Sequence, residues 1–561
     1  MTRPAMNKPL RAATLPQFRL AALTIAQLLV TLVVTLLAAM PAVAQGDLKT
    51  KSVAIADLTE AHAPAPRLPF FTLLGLRNCE YWPSLIPTRQ EHVVPMEADG
   101  LISIFSMLDD SMENDGVELQ TQSGRLFMRG TAEQLQNWEN LVDIARSHFS
   151  APIKFEATVM HHDGKMLPPS VVDPEQAQAL LDGHKHTWSS ASASPSGIAT
   201  YMGHHRSVSY LHTNYAEVSE ERWASVPQQD ELFDGVGVVA VAHRLCETDD
   251  LILRAQFSIG SLVEMCQHKS GLGSQADPQR PVLSVTAANM SGRIKNGGAL
   301  VFNATAPENL GGNIMVIVRA TWTRVQQKTP DHLMTLPVSA LTSAIASHPQ
   351  FARTDRVDLA KPSSEDLHND DEREPLLDES RLQELIMSSV DVDSWDDTAM
   401  MSSTNGHMMF RAEPGTLKKV RAFVAEQERQ LLTTIEVVYE NGSGRITFPT
   451  LTQHGHGVRH GRETTSIAGV IIEIAKKASI QAPSVVRLFE GIQFGITPYS
   501  ASQHLGAKIS WTSRRIESQP EGIALPPIRL TSRTHTGLIP EAGLAADNGP
   551  LGKERWSLLR R

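Results

Sequence analysis

Apolar and polar residues first fall into a regular pattern near Val93. Ile102, Phe105 and Leu108 recur at helical spacing, and Gly116 breaks the run. A strand is predicted from Val117 to Thr121, Gly124 marks a turn, and Leu126, Phe127 and Met128 predict the next strand. Thr131 and Gln134 have capping-box spacing, so a helix starts there, with Leu135, Trp138, Val142 and Ala145 on one face and Pro152 at its end. Ile153, Phe155, Ala157 and Val159 then alternate with Lys154, Glu156 and Thr158, the pattern of a half-buried strand.

The same order returns further on. Leu382, Leu385 and Ile386 open a helix, Gly406 marks a turn, Met408 to Phe410 predicts a strand, and Pro414 starts a helix carrying Leu417, Val420 and Val424. Ile435, Val437 and Tyr439 alternate after it. A constant shift of 282 relates Gly124 to Gly406, Arg129 to Arg411, Leu135 to Leu417 and Ile153 to Ile435, with no gap. A second shift, of 256, relates Arg206 to Arg462, Glu217 to Glu473, Pro227 to Pro483 and Leu232-Phe233-Asp234-Gly235 to Leu488-Phe489-Glu490-Gly491. The first copy therefore carries 26 extra residues between the two stretches. The Ser/Ala-rich run from Ser189 to Gly197 has the composition of a flexible loop and is the expected place for them. Gly-punctuated β segments follow, such as Ala299 to Asn303 and Met315 to Val318.

These patterns predict an α+β chain: two tandem copies of a small α+β module, each followed by an antiparallel β segment. The expected boundaries are a signal peptide at 1–44, a Pro/Ala-rich leader at 45–90, a first repeat at 91–325, an acidic linker at 326–378 and a second repeat at 379–561. The linker's acidic residues concentrate at 362–378.

The N-terminus adds a location. Arg3, Lys8, Arg11 and Arg19 precede an uncharged apolar run from Leu20, which ends at Ala42-Val43-Ala44, a small-x-small cleavage pattern. That predicts export with Gln45 as the mature N-terminus; an uncleaved anchor is the alternative, because the run is about long enough to span a bilayer. Periplasm or outer membrane is the expected destination.

Composition mainly excludes. Lys plus Arg total 51 against 61 for Asp plus Glu, so no basic excess exists to displace phosphate counterions, and nucleic acid is not the expected partner. Three cysteines, Cys79, Cys246 and Cys266, form no CxxC pair and allow at most one bridge. His454, His456 and His460, His184 with His186, and His204 with His205 are the histidine clusters; they lack a fixed acidic or sulfur ligand and HExxH, and are expected as surface or loop residues. Asp109-Asp110, Asp249-Asp250 and Asp396-Asp397 fit helix exits and turns, where Asp bonds local amides. No GxSxG or Ser-x-x-Lys set occurs, and Gly549 to Lys553 is too short for a P-loop. No catalytic, cofactor-binding or metal-binding residue is assigned, no cofactor is expected, and the chain is read as non-enzymatic. Trp138 fits a packed face, Trp395 fits the end of its helix, and Phe233 and Phe489 are expected beside hairpin turns in which Gly235 and Gly491 take positive φ.

The stretch Gly124 to Leu135 with the strand Ile153 to Ala157, the segment Val390 to Asp397 with Trp395, and the run Arg462 to Trp511 with Leu488-Phe489-Glu490-Gly491 resemble secretins, the ring-forming proteins of type II and type III secretion and of type IV pili. The resemblance covers about two thirds of the mature chain and rests on non-catalytic positions. It implies an envelope structural or assembly protein that self-associates or docks onto other envelope and secretion proteins, with outer-membrane association. The chain departs from secretins in lacking an intact apolar lip segment and in duplicating module and β segment together, so the resemblance carries architecture further than activity. A soluble periplasmic module that binds peptide, glycan or lipid is the alternative.

Overall fold

The computed structural model describes residues 48–60, 95–108, 118–162, 168–218, 223–267, 278–305, 313–323, 329–345, 375–441, 444–474, 479–501, 504–517, 527–540, 543–549 and 552–560. The predicted signal segment, Cys79, Asp109, Asp110 and Gly116 lie outside them, as does the acidic run up to residue 374. The protein is mixed α+β and mostly antiparallel sheet.

The first small unit runs β1 (Lys49–Ala54), α1 (Ala56–Thr59), α2 (Ala98–Leu108), β2 (Glu118–Gln122), β3 (Arg125–Gly130) and α3 (Ala132–Ala145), with strand order β1-β3-β2. The capping box forms as expected: Gln134 N donates to Thr131 Oγ1 at 3.3 Å and Thr131 N to Gln134 Oε1 at 2.8 Å. Two orphan amides at the helix start are thereby satisfied. Leu135, Trp138, Val142 and Ala145 are buried and pack with Leu101, Phe105, Leu126 and Met128. A single wide turn, Arg146–Ser150, ends the helix before the chain turns extended at Ala151.

Strands of the first β region follow: β4 (Pro152–His162), β5 (Val171–Val172), then α4 (Pro174–Asp182), β6 (His186–Pro195), β7 (Thr200–Val218), β8 (Trp223–Arg244), β9 (Leu251–Gln267), β10 (Gln279–Ile294), β11 (Ala299–Thr305) and β12 (Asn313–Trp322).

A second small unit comes next: β13 (Leu333–Pro337), α5 (Ser339–Thr342), α6 (Glu379–Ser389), α7 (Ser394–Asp397), β14 (Met400–Thr404), β15 (His407–Arg411) and α8 (Pro414–Leu431). Its strand order, β13-β15-β14, is that of the first unit. Detail matches too. Ile55 N donates to Gly124 O at 2.8 Å, and Val338 N donates to Gly406 O at 2.8 Å. Gly124 and Gly406 have φ of +69° and +74°, and a Cβ there would meet Ala56 Cβ at 3.0 Å and Ser339 Cβ at 2.5 Å. Glycine is required by both conformation and space.

The second β region contains β16 (Thr434–Asn441), β17 (Gly444–Leu451), β18 (His456–Ile474), β19 (Ser479–Ala501), β20 (His504–Ile516), β21 (Ile528–Leu538), β22 (Leu544–Gly549) and β23 (Gly552–Arg560). The two β regions do not stay separate. One sheet runs β21-β20-β19-β18-β10-β9-β8-β7, and the other runs β22-β23-β16-β17-β11-β12-β4-β6 with β5 against β11. The sheets face each other across a common core that holds Phe155, Phe302 and Phe448 from one and Phe257, Phe494 and Ile509 from the other. Phe302 sits 4.9 Å from Phe257 and 6.3 Å from Phe448 between ring centroids. Each such side chain contributes about 1.5–3 kcal/mol through burial.

Four expectations need correcting. Strand β13 and helix α5 lie inside 326–378, which the sequence suggested was a linker, and β1 lies inside the 45–90 leader. Ser189 to Pro195 is not a loop but most of strand β6, paired with β4. The 26 residues by which the two shifts differ fall elsewhere: Val159 pairs with Trp188 where Asn441 pairs with Gly444, so they lie at the β4–β6 end, which carries α4. Gly235 and Gly491 do have positive φ, +153° and +144°, but they lie inside β8 and β19, where the strands run on without a hairpin turn.

Candidate functional site: an internal seam and two open edges

The two β regions join along one seam in each sheet. In the eight-stranded sheet β10 pairs with β18 over seven residues, from Val282 opposite Thr464 to Ala288 opposite Val458. In the other, β11 meets β17 through Asn303 opposite Thr447 and Ala304 opposite Ile446. Side chains tie the seam. Thr286 Oγ1 lies 2.9 Å from His460 Nδ1, Ser291 Oγ lies 2.9 Å from His456 Nε2, and Asn303 Nδ2 donates to Thr447 Oγ1 at 3.2 Å. Arg459 and Glu463, 2% and 0% exposed, form an ion pair on β18, and the Arg459 guanidinium lies 4.2 Å from the Phe489 ring centre. A buried pair of this kind is held in part because each charge satisfies the other.

Each sheet ends in strands that pair on one side only among the described residues: β7 and β21 in one, β6 and β22 in the other. Unpaired edges template further strands. On β7 the exposed part is Gly203 to Ser207; further along, Thr213 Oγ1 donates to Pro483 O at 2.6 Å as the strand turns onto β19. His204 and His205 are on this edge, as their sequence reading expected of surface residues.

The other histidines divide differently. His454 and His456 are buried, contrary to that expectation, because β18 carries His456 into the seam and Thr452 O lies 2.9 Å from His454 Nδ1. Burial holds both imidazoles below their usual range, His456 at about 3. His184 Nε2 lies 3.0 Å from His162 Nδ1, and His186 Nε2 lies 2.8 Å from Leu181 O. Among the described residues no three His, Cys, Asp or Glu side chains gather as a metal-ligand set.

A second buried polar region bolts the small units to the sandwich, and nothing in the sequence pattern marked it. Arg244 Nη1 donates to Ser147 O and His148 O, both at 3.3 Å, and its guanidinium stacks 4.3 Å from the Trp322 ring centre. Arg254 donates to Ser343 Oγ at 3.1 Å and Ala344 O at 3.3 Å, and His243 Nδ1 lies 2.9 Å from Ser339 Oγ. The His407 ring lies 4.2 Å from Phe149, so the second unit's β15 touches the end of the first unit. Burial, with Arg244 nearby, holds His148 near 3 and His407 near 4. Beside this region is a cavity of about 500 Å³ lined by Ser147, His148, Arg244, Cys246, Trp322 and Arg421 among others.

Cys246 Sγ donates to Glu428 Oε2 at 3.3 Å, and Cys246 N donates to Glu428 Oε1 at 3.2 Å. Burial pushes the Glu428 carboxyl up to about 7. The folded state therefore binds a proton that the unfolded state releases near 4.5, and stability falls as pH rises from there to about 7. Glu428→Gln, which mimics the protonated acid, should raise stability by about 2 kcal/mol at pH 8 and change little at pH 4.5. Thermal melts at both values check this; an equal effect at each would refute it. Cys246 and Cys266 are unbonded. Asp249 and Asp250 lie in the β8–β9 turn, where Asp250 accepts from Arg293 Nε at 2.9 Å, and Trp395 Nε1 donates to Val390 O at 2.7 Å, at the end of α6.

No known protein family matches the chain, and no curated protein does. Solved structures show distant similarity. The Vibrio cholerae type IV competence pilus secretin PilQ is 10% identical, covering 56% of this chain and 92% of that one at a TM-score of 0.22. The Klebsiella pneumoniae type II secretion system outer membrane complex of PulD, PulS and the PulC HR domain matches at 12% identity, over 54% and 67%, with a TM-score of 0.21. The ETEC pilotin–secretin complex AspS–GspD matches at 9% identity, over 50% and 76%, with a TM-score of 0.21. Among the described residues no helix is long and apolar enough to cross a membrane.

Proposed function

We propose that the chain is a non-enzymatic, secretin-like structural protein of the cell envelope, a duplicated unit that assembles with further copies or with other envelope proteins. The observation that carries this reading is the seam. Each half contributes four strands to the main run of each sheet, in the same order, with β5 added in the first half, and the halves join through β10 with β18 and β11 with β17. The duplication reading is supported by the matching small units and by the two constant sequence shifts. A unit that joins its neighbour head to tail forms a heterologous contact, which closes into a ring when the rotation allows. The export signal read from the N-terminus fits a periplasmic or outer-membrane location, and a role in protein secretion or pilus-type machinery follows from the same resemblance.

Fractionation of the expressed, tagged protein, followed by sizing with light scattering, tests this. A large, detergent-extracted, heat-resistant assembly is expected. Monomer alone at high concentration would sink the reading. A periplasmic binding module remains the second reading because of the 500 Å³ cavity beside Arg244 and Trp322. Its polar lining suits a small polar ligand.

A further inference from the structure

We infer that the partner of the open β7 edge is the β21 edge of a second copy of this chain, docked in the register that joins β18 to β10 within one chain. The inference rests on the assembly reading above and specifies its contact.

The strand partners give the correspondence. Gly235 pairs with Gly260 and Gly260 with Val285; in the second half Gly491 pairs with Arg514 and Arg514 with Leu530. Val285 and Leu530 thus hold equivalent places, and their surroundings agree: Pro281-Val282-Leu283-Ser284-Val285-Thr286-Ala287 against Pro526-Pro527-Ile528-Arg529-Leu530-Thr531-Ser532. β7 corresponds to β18 through the shift of 256, which sets His204 against His460 and Arg206 against Arg462.

Inside the chain, Thr286 faces His460 across the seam, with Oγ1 and Nδ1 2.9 Å apart. The same two residue types stand at the equivalent places on the open edges, Thr531 on β21 and His204 on β7. One chain's internal hydrogen bond is thus available again between chains. Leu530 is 37% exposed, whereas its counterpart Val285, packed with Tyr210, Leu232 and Leu283, is 0% exposed. Pairing the two edges satisfies their backbone groups and removes an aggregation-prone edge. One juxtaposition is unfavourable: Arg529 falls opposite Arg206, where the internal seam has Ser284 opposite Arg462. Each arginine has its own carboxylate, Asp234 at 2.6 Å from Arg206 and Glu517 at 3.2 Å from Arg529, which limits the repulsion.

The experiment co-expresses full-length chains carrying His204→Cys alone and Thr531→Cys alone, oxidises them, and reads non-reducing gels beside the sizing profile. Two chains crosslinked as a dimer in the mixture, and in neither single variant, is the expected result. The double variant should then give a ladder of chain multiples. His204→Cys with Arg529→Cys, two residues out of register, should crosslink at least tenfold less. An assembled protein that crosslinks only out of register, or that bridges only within one chain, overturns the inference and leaves the assembly reading standing. A protein that sizes as monomer and gives no interchain product overturns both.

Discussion

Acidifying the protein from pH 6.5 to 4.5 is expected to lower its unfolding temperature by roughly 10 °C or more. The cause is the set of buried neutral imidazoles: His148 and His456 held near 3, His407 near 4, and His243 and His454 well below the usual 6.5. Desolvation leads in every case, and Arg244 or Arg254 adds repulsion. Because these pKa values are depressed, the unfolded chain binds more protons between the folded values and 6.5. Stability therefore rises with pH across that window, is lost as pH falls through it, and levels off below about 3. Each group contributes about 1.4 kcal/mol per pH unit, so three groups over two units approach about 8 kcal/mol, within the usual net stability of a domain. Glu428 acts with the opposite sign and offsets a part of this. Thermal melts from pH 7 to 4.5, repeated with His407→Gln and His456→Gln, check the prediction. A flat profile in the native chain, or an unchanged slope in the variants, would remove the imidazoles as its cause.

Removing one partner of the seam's buried ion pair should also cost heavily. Glu463→Ala leaves Arg459 charged in a site where it is 2% exposed, and about 3–5 kcal/mol of stability should be lost. The paired change Arg459→Met with Glu463→Leu keeps similar volume and removes both charges, so it should recover most of the loss. Arg459 also packs over Phe489, so a part of the deficit persists through lost stacking. Denaturant unfolding of the two variants decides the matter. Equal destabilisation of both would mean that packing, and not the lost ion pair, sets the cost.

Local signals in the sequence located the parts whose stability is local. The capping box at Thr131 and Gln134, the Pro414 helix start and the apolar faces of α3 and α8 all read directly, since each depends on residues within a few turns. Strand β1 did not. Its side chains are mostly exposed, so no alternation marks it, and pairing with β3, 71 to 81 residues away, organises it. β13 hid for a related reason: it is organised by pairing with β15 from 70 or more residues away, and acidic chain follows it. Ser189 to Pro195 misled through composition, because small residues suit a loop and also suit an edge strand with little to bury. His454 and His456 sit among glycines, yet β18 and the turn before it are buried by the first β region, which periodicity within the segment does not reveal. The seam itself left only one trace, the two constant shifts.

Among the described residues helix α4 belongs to the first β region alone, at the β4–β6 end, where in the second Asn441 of β16 pairs with Gly444 of β17. In a closed wall of such chains, decorated and plain units would therefore alternate around the circumference. The wall's rotational order would equal the number of chains and only half the number of its building blocks, and anything that grips α4 would find every other position bare.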